Sequence, residues 1–460
     1  MSSENRAVPE SHNPGGWSVA AYGSLVVSFL GGVLLYHQLL ANSVFQAADW
    51  PKEMAYLYLL KEALEELRLP LYLSRPIQNT SLFLANPEIN LSPQVLLLRF
   101  TSIEAFVHLN VLLLYSIGFA GWVKAAKKFS VPPLYAALAS LTFLGNGYFL
   151  SRIAVGHFMW VSCFLFPWWA LAISDLIECP SRKAIIKVGF WSWLILLQGG
   201  FHQFIWLNLF ALLLALATGG RLLVPLLKVI GLNALLGAFR IVPAAYAYAG
   251  HKHPFLTGFH DFTTLWLGLV GDYHVGITTR PWAPHIAKVG WWEFDHYLGI
   301  PGLIVLAVCC WVWMKAKTDG SLALACGLLT LLSLGQIMEW MSKLSLPFVD
   351  AERVPSRFFI VVLLFCLIMG LKHLGQAMRD PKLLALGAGL LVWQWWALWT
   401  HLEGWRPEIV ERFMMSSTPY LVHFTEADFP LYQTVVAASW GVTLLSLAGA
   451  AWSYKSGGAK

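Results

Sequence analysis

Charged residues are unusually scarce in this sequence. Asp, Glu, Lys and Arg make up 12% of its 460 residues, against about 25% in an ordinary soluble protein. Hydrophobic residues account for 57%, and apolar stretches of about 20 residues, the length that a helix needs to cross a bilayer, recur along the whole chain. Because lipid offers no partner for backbone polar groups, such stretches must be helical. The composition therefore excludes a water-soluble protein and predicts an all-α polytopic membrane protein surrounded by a lipid bilayer.

Motifs for nucleotides, nicotinamide cofactors and zinc are also missing. The sequence has no Walker-type phosphate loop, no dinucleotide glycine fingerprint and no Cys/His array at zinc spacing. ATP-driven transport and nicotinamide chemistry are therefore disfavoured, and no nucleic-acid partner is expected. The six cysteines fall in or beside apolar stretches, which argues against a disulfide framework. No small-residue cleavage site follows the first apolar stretch, so we expect that stretch to remain as a membrane anchor.

Hydropathy windows predict about twelve spans within a single integral membrane domain, 1–460. The spans cover roughly 17–41, 105–123, 131–150, 157–177, 184–199, 202–218, 222–247, 299–314, 320–339, 358–371, 383–401 and 431–452. Connections on the side of the two termini are richer in Lys and Arg, as between Lys124 and Lys128, and such short cationic loops stay in the cytoplasm. We therefore expect a bacterial-type inner (plasma) membrane protein with both termini cytoplasmic. Residues 1–16 form its cytoplasmic tail, and 42–104 and 248–298 are long extracytoplasmic loops.

The first of these long loops opens with an isolated carboxylate, Asp49, followed by Trp50-Pro51. In the segment 51–68, apolar residues recur on one helical stripe and charged residues occupy the remainder. This pattern predicts an amphipathic helix that lies in the membrane interface. The stripe consists of Met54, Leu57, Leu60, Leu64 and Leu67. Asp49 stands where either a helix cap or a catalytic base would stand, and the two roles are compatible.

Five short motifs follow one another in order along the chain. They are Leu84-Ala85-Asn86-Pro87, Ala154-Val155-Gly156-His157, Gly199-Gly200-Phe201-His202-Gln203, the stretch from Trp292 to Gly299, and Arg353-Val354-Pro355-Ser356-Arg357-Phe358. Together with the acidic residue and the interfacial helix of the first loop, this series resembles the bacterial YfhO-like proteins and, more broadly, the type C (GT-C) membrane glycosyltransferases. The resemblance covers about residues 20–370. The chain departs from the pattern because its first loop has no Asp-x-Asp, which puts the use of a metal in doubt.

The resemblance implies a GT-C-like fold and the transfer of a sugar, with inversion, from a polyprenyl-phosphate donor to an acceptor at the extracytoplasmic face. Such a transfer requires a base for the acceptor hydroxyl and cations for the departing phosphate. Asp49 is the candidate base. Arg353 and Arg357 are candidate phosphate ligands, because guanidinium groups match phosphate oxygens. Further candidates for substrate or phosphate binding are Arg152, His157, His202, Arg240, Asn86 and Glu293.

Each candidate also has a structural interpretation. The two loop arginines stand at the head of a span, where they also fit anchors that pair with Asp350, Glu352 or lipid headgroups. The two histidines follow glycines at span ends and equally fit interfacial hydrogen-bonding groups. Arg240 lies well inside a span, so it faces either a donor pocket or a structural ion pair.

The loop 248–298 gathers acidic and histidine side chains. Asp261, Asp272 and Glu293 are candidate oxygen ligands for a divalent cation, the one cofactor that the sequence suggests. None of them stands at a metal-site spacing. The alternative is a polar loop that covers the site.

Two functions of other classes fit the same composition. A transporter or flippase of a lipid-linked solute agrees with twelve spans, but no internal repeat relates the two halves, and the acidic residues crowd one face instead of the midplane. A non-catalytic GT-C-like scaffold that binds membrane-protein partners agrees with the incomplete motifs. The membrane glycosyltransferase is the leading hypothesis.

Overall fold

The structure is a computed structural model that describes residues 19–41, 44–77, 80–86, 88–248, 257–271, 290–343, 352–374, 380–413, 422–425 and 429–456. Among these residues, eight helices are long and apolar enough to cross a membrane, or nine if one bent pair counts as a span. The eight are Tyr22–Leu39, Ile103–Phe129, Phe158–Glu178, Phe201–Thr218, Gly299–Ala316, Pro355–Leu374, Pro381–Glu403 and Pro430–Ser456. The protein is thus a helical membrane protein, as its composition predicts.

The α-helices are numbered in chain order. They are α1 Val19–Leu39, α2 Trp50–Glu65, α3 Ile103–Phe129, α4 Pro133–Leu144, α5 Gly147–Ala154, α6 Phe166–Glu178, α7 Arg182–Leu197, α8 Phe201–Thr218, α9 Gly220–Leu236, α10 Ala238–Tyr248, α11 Phe262–Val270, α12 Gly299–Ala316, α13 Gly320–Leu332, α14 Gly335–Ser342, α15 Phe359–Leu374, α16 Pro381–Glu403, α17 Pro407–Phe413 and α18 Pro430–Ser456. Short 3-10 turns at Phe158–Leu165 and Pro355–Phe358 lead directly into α6 and α15.

The twelve predicted apolar stretches all contain helix, but they differ in length. Helices α4, α7 and α13 have 12, 16 and 13 residues, which is shorter than the other spans. The stretch 131–150 consists of two helices because Gly145 and Asn146 separate α4 from α5. Helices α9 and α10 form the bent pair, with an angle of 71° between them. Hydropathy alone does not detect such breaks.

The centre of the bundle is formed by the spans Phe158–Glu178 and Pro355–Leu374, in which 83% of the residues are buried. Helix α15 is apolar on every side, as expected of a helix that is packed all round. The peripheral span Pro430–Ser456 is only 17% buried, and it exposes large apolar side chains such as Leu445 and Trp452. Surfaces of this kind belong in contact with lipid tails.

The predicted helix at 51–68 is present as α2, which ends at Glu65. Leu67 takes a positive φ of 54° and is exposed, so the last residue of the predicted stripe lies outside the helix. Leu57 and Leu60 are buried as expected, but so is Glu53, which the pattern placed on the charged face. Lys61 Nζ donates to the carbonyl oxygen of Thr101 at 2.8 Å and holds α2 against the start of α3.

A small antiparallel hairpin follows α2 and was not predicted. Its strands are β1 Tyr72–Ile77 and β2 Thr80–Leu82. The segment 422–425 extends it, because the Ser74 amide donates to the His423 carbonyl at 2.8 Å and the Thr425 amide donates to the Tyr72 carbonyl at 3.1 Å. The strand partner is thus very distant in the chain, and local sequence patterns do not reveal it.

The opposite end of the bundle is held by a network of ion pairs. Lys128 Nζ lies 2.7 Å from Asp175 Oδ1 and 3.1 Å from Glu178 Oε2. Lys372 Nζ lies 3.2 Å from Asp319 Oδ2. These lysines belong to the cationic set that the sequence assigns to the cytoplasm, and the network connects the ends of the long helices α3, α6 and α15.

The close packing of α15 against α12 at Gly370 provides a prediction. A Cβ atom added at Gly370 in α15 would lie 2.6 Å from the Cα atom of Cys309 in α12. We expect Gly370→Ala to force the helices apart and to reduce the free energy of unfolding by about 1–3 kcal/mol. Thermal unfolding of the detergent-solubilised protein measures this change. Gly327→Ala and Gly389→Ala are matched controls, since a Cβ atom at either position meets nothing within 4 Å, and an equal loss in all three variants would contradict the prediction.

Candidate functional site

Asp49 immediately precedes α2, but its side chain does not cap that helix. No capping hydrogen bond is made by its carboxylate, which instead lies 3.4 Å from His157 Nε2 and 3.7 Å from Lys52 Nζ. Burial opposes ionisation of this carboxyl, but the hydrogen bond with His157 and the charge of Lys52 outweigh burial and lower the pKa of Asp49 to about 2. The side chain is therefore an ionised carboxylate that faces the site.

A tight turn at Gly156 places His157 beside Asp49. Gly156 has a φ of 84°, and a Cβ atom there would lie 2.7 Å from the backbone carbon of Asp49. Only glycine accommodates both the left-handed conformation and this close approach. The Asp49 amide donates to the Val155 carbonyl at 3.1 Å, and Trp50 Nε1 donates to the Ile153 carbonyl at 2.8 Å. The turn after α5 is thus docked on the start of α2.

The second glycine-histidine motif has the same construction. Gly199 also has a φ of 84°, and a Cβ atom there would lie 2.7 Å from the backbone carbon of Glu88 in the first loop. The α8 helix then begins, and in its first turn His202 Nδ1 lies 3.1 Å from Glu352 Oε2. Both motifs therefore use a left-handed glycine to contact the first loop and place a histidine beside a carboxylate.

Glu293 forms a deeply buried ion pair with two arginines. It accepts from Arg152 Nη2 at 3.0 Å and from Arg357 Nε at 2.7 Å, and Arg357 Nη2 binds its second oxygen. Burial alone would raise the pKa of Glu293, but the charges of Arg357 and Arg152 prevail and lower it well below the ordinary value. Ser356 Oγ also donates to the Glu293 carbonyl at 2.7 Å. The carboxylate therefore joins three segments that are distant in sequence.

Glu352 is the second buried carboxylate. Its oxygens accept from Trp206 Nε1 at 2.7 Å and from the Val354 amide at 3.0 Å, and Arg357 Nη1 lies 3.6 Å away. Burial opposes its ionisation, but the charge and hydrogen bond of His202, followed by the charge of Arg357, lower the pKa of Glu352 to about 2. The sequence suggested Glu352 only as a partner for the loop arginines, which is part of what the structure shows.

Trp160 lies between the ion pairs and the two histidines, and sequence reasoning did not single it out. The guanidinium of Arg357 lies 4.5 Å from the centre of its ring, in a cation–π contact. The ring of His202 stacks on it with a centroid distance of 5.8 Å, and the ring of His157 lies at 6.4 Å. The sequence pointed to Trp160 only through its position, three residues after His157 in the turn that leads into α6.

Arg353 connects the two loops that the sequence left apart. Its side chain is half-buried, and its charge interacts with the carboxylates of Glu293, Glu352 and Asp49. Burial lowers the pKa of Arg353, and the three carboxylates partly restore it. The 352–357 segment and the start of α2 are therefore close enough for their charges to interact.

The site consists of two layers, which we call the floor and the rim. Floor side chains are buried, and the floor comprises Arg152, Trp160, Glu293, Glu352 and Arg357. Rim side chains are partly exposed, and the rim comprises Asp49, Lys52, His157, His202 and Arg353. Asp49 and His202 have 27% and 22% of their side-chain surface exposed, so a ligand has access to them.

Arg240 and Asn86 lie beneath the first loop and outside both layers. The terminal nitrogens of Arg240 donate to the carbonyl oxygens of Leu84, Asn86 and Glu88, at 3.2, 2.7 and 2.6 Å. The side-chain oxygen of Asn86 accepts from Tyr248 Oη at 2.9 Å. The described hydrogen bonds of Arg240 are thus with backbone carbonyls, and they hold the loop in place.

Glu53 and Glu88 form a buried carboxyl pair that sequence reasoning missed. Both are nearly inaccessible, and Lys52 Nζ lies 3.0 Å from Glu53 Oε1. Burial, followed by the neighbouring charge of Glu53, raises the pKa of Glu88 well above its ordinary value. Glu88 is therefore harder to ionise than an ordinary glutamate, and Lys52 lies within ion-pair distance of its neighbour Glu53.

The two predicted metal ligands that the structure describes make other contacts. Asp261 caps α11, where its Oδ1 accepts from the Thr264 amide at 2.7 Å, and Glu293 is engaged by its two arginines. Asp272 lies outside the described residues. In the part of the chain that the structure describes, no group of three or more His, Cys, Asp or Glu side chains could hold a metal ion.

No protein-family model, curated protein or solved structure matches the chain. The function must therefore be argued from the geometry of the rim and the floor.

The Glu293 ion pair provides a stability prediction. Glu293→Gln leaves two buried guanidinium groups without their counter-ion, so we expect it to cost about 3–5 kcal/mol of the free energy of unfolding at pH 7. Because folding lowers the pKa of Glu293, its contribution is complete above a pH of about 4.3 and is lost as the pH falls further. The variant should therefore lose part of the acid dependence of unfolding that the parent protein shows.

Thermal unfolding in detergent between pH 3 and pH 8 measures both effects. Glu62→Gln is the matched control, since Glu62 pairs with Arg68 at 3.4 Å on an exposed surface and should contribute less than about 1 kcal/mol. Equal losses in the two variants would contradict the importance assigned to the floor.

Proposed function

We propose that this protein is an integral membrane glycosyltransferase of the GT-C type, with twelve spans and both termini in the cytoplasm. It transfers a sugar from a polyprenyl-phosphate donor to an acceptor hydroxyl at the extracytoplasmic face of the plasma membrane. The observation that supports this most is the rim itself, in which the ionised carboxylate of Asp49 and the guanidinium of Arg353 are both partly exposed and close enough for their charges to interact.

The position of the rim suits a lipid-linked donor. Asp49 follows the first span, whereas His157, His202 and Arg353 stand at or just before the beginnings of the spans that start at 158, 201 and 355. All four therefore lie at one end of the bundle, at the level where a helix leaves the hydrocarbon layer. A donor held in the bilayer by its polyprenyl tail presents its phosphate at this same level.

Arg353 is the rim cation that suits an anionic headgroup. In the floor, Arg152 and Arg357 are balanced by Glu293 and Glu352, so the buried layer is neutral overall. In the rim, the half-buried Arg353 and the ionised Asp49 carry opposite charges, and Lys52 pairs with Glu53. A phosphodiester carries one negative charge, and guanidinium binds phosphate oxygens with well-matched geometry. Arg353 is therefore the candidate ligand for one phosphate group.

Asp49 fits the role of the base in an inverting transfer. Its low pKa keeps it ionised throughout the physiological range, so it is always ready to accept a proton. A weak base is sufficient when the acceptor oxygen has largely bonded to the sugar, because the hydroxyl proton is then strongly acidic. His157, at 3.4 Å, holds the carboxylate in position.

Asp49→Asn tests this proposal. The substitution keeps the shape of the side chain but removes the base, so we expect transfer to fall at least about 100-fold while the protein stays folded in the membrane. The assay uses proteoliposomes, radiolabelled polyprenyl-phosphate hexoses and a membrane extract as acceptor. Asp380→Asn is the matched control, since Asp380 also precedes a helix that begins with proline but caps it through the Lys382 amide, and it should transfer normally.

Other outcomes would replace the proposal. Full transfer by Asp49→Asn would remove Asp49 from the mechanism. Movement of the intact donor across the bilayer, with no cleavage of the sugar–phosphate bond, would assign the rim to a transporter. Copurification with another membrane protein at a fixed ratio, with neither transfer nor movement, would assign it to a scaffold.

A further inference from the structure

The two histidines of the rim both contact Trp160, and each lies beside a carboxylate. His157 lies beside Asp49, and His202 lies beside Glu352. The centre of the Trp160 ring is 6.4 Å from that of His157 and 5.8 Å from that of His202. The site therefore has two carboxylate-histidine pairs that share one aromatic neighbour.

The His202 pair is oriented more firmly than the His157 pair. Glu352 is buried and is fixed by Trp206 Nε1 at 2.7 Å and the Val354 amide at 3.0 Å. Its Oε2 atom lies 3.1 Å from His202 Nδ1, within hydrogen-bond distance. The ring of Trp160 stacks on the imidazole with an interplanar angle of 20°. Nδ1 and the ring face are thus occupied, and among the described residues Nε2 has no hydrogen-bond partner. The pair leaves one nitrogen on the partly exposed side.

We propose that His202 is the acid that protonates the departing phosphate and that Glu352 is its positioning residue. This inference rests on the proposed glycosyl transfer. A transfer that takes a proton from the acceptor and gives one to the leaving group needs two separate acid–base groups, and Asp49 and His202 are two such groups in one rim. The carboxylate keeps Nδ1 as the bound N–H and stabilises the imidazolium, as in other carboxylate-histidine pairs.

The proposed displacement conserves atoms and charge. The acceptor oxygen forms a bond to the anomeric carbon while its proton passes to Asp49, and the bond from that carbon to the phosphate oxygen breaks. The electron pair of the broken bond stays on the phosphate oxygen, which takes the Nε2 proton of the His202 imidazolium. The product is a polyprenyl phosphate monoester in its monoanionic form. Asp49 then releases its proton to solvent, and His202 regains one from solvent.

The charges around His202 make this step dependent on pH. From the elements that pack against His202, the described charged neighbours are Glu352 and, beyond it, Arg357, while Trp160 and Phe201 contribute aromatic rings. Glu352 stays ionised at physiological pH because its pKa is lowered to about 2. Phosphate binding should therefore weaken as the pH rises and the imidazolium loses its charge.

Binding of two phosphate probes tests the inference without requiring turnover. Farnesyl phosphate and inorganic phosphate are titrated calorimetrically into the full-length protein between pH 5.5 and pH 8.5. We expect His202→Gln to weaken binding of farnesyl phosphate about 10-fold or more at pH 6 and to abolish most of the pH dependence. In Glu352→Gln we expect a smaller loss of affinity than in His202→Gln, because the imidazole stays in place but loses the carboxylate that orients it. If inorganic phosphate binds with the same pH dependence, the site recognises the phosphate group alone. If only farnesyl phosphate binds, the site recognises the lipid tail as well as the phosphate.

A matched control lies at the other end of the bundle. His373 Nε2 lies 3.2 Å from Asp319 Oδ2, so His373→Gln removes an equivalent histidine and should leave both titrations unchanged. Thermal unfolding excludes a folding defect, and a misfolded Glu352→Gln variant would leave His202→Gln to decide. Unchanged phosphate affinity and pH dependence in a folded His202→Gln variant would overturn the inference. If Asp49→Asn abolishes transfer in the same preparation, the proposed function stands without it.

Discussion

The interaction on which the site depends is the shared ion pair of Glu293 with Arg152 and Arg357. The carboxylate is 141 residues from one guanidinium and 64 from the other, and all three side chains are buried. An isolated charge at such a place is very costly, whereas a paired and hydrogen-bonded one is tolerated. The pair therefore requires α5, the turn before α12 and the turn before α15 to meet. That constraint creates a rigid, neutral surface under the rim.

The rim is positioned by backbone contacts as much as by charge. Gly156 and Gly199 each have a φ of 84°, and each contacts the backbone of the first loop where a Cβ atom would clash. His157 directly follows Gly156, and His202 follows Gly199 by three residues. Because both histidines are placed by turns that are themselves docked on the loop, Asp49 and the two imidazoles are fixed relative to one another. Flexible side chains alone would not provide this order.

Sequence reasoning predicted what depends on local pattern and missed what depends on distant contacts. The apolar stretches became helices because period and length are local properties, and α2 formed close to its predicted bounds for the same reason. Glu53 was assigned to the charged face of α2, yet it is buried because Glu88 and Lys52 supply its partners. Arg240 was identified as an intramembrane cation, but its partners are the backbone carbonyls of a loop, which no residue pattern encodes. The hairpin was not predicted either, and the segment 422–425, which pairs with β1 only through an isolated bridge between Leu73 and Phe424, lies too far along the chain for a local pattern to reveal.

The neutral floor explains how several charges are held at the edge of a membrane. Each floor arginine is matched by a buried glutamate, so the floor adds no net charge to the low-dielectric interior and its polar groups keep fixed orientations. Arg353 is only half-buried, and its carboxylate neighbours are Glu293, Glu352 and Asp49. An anion that bound Arg353 in the proposed function would add to the negative charge that already surrounds this guanidinium. The Asp49 carboxylate depends instead on His157 and Lys52, so the same anion would leave both of its stabilising contacts in place.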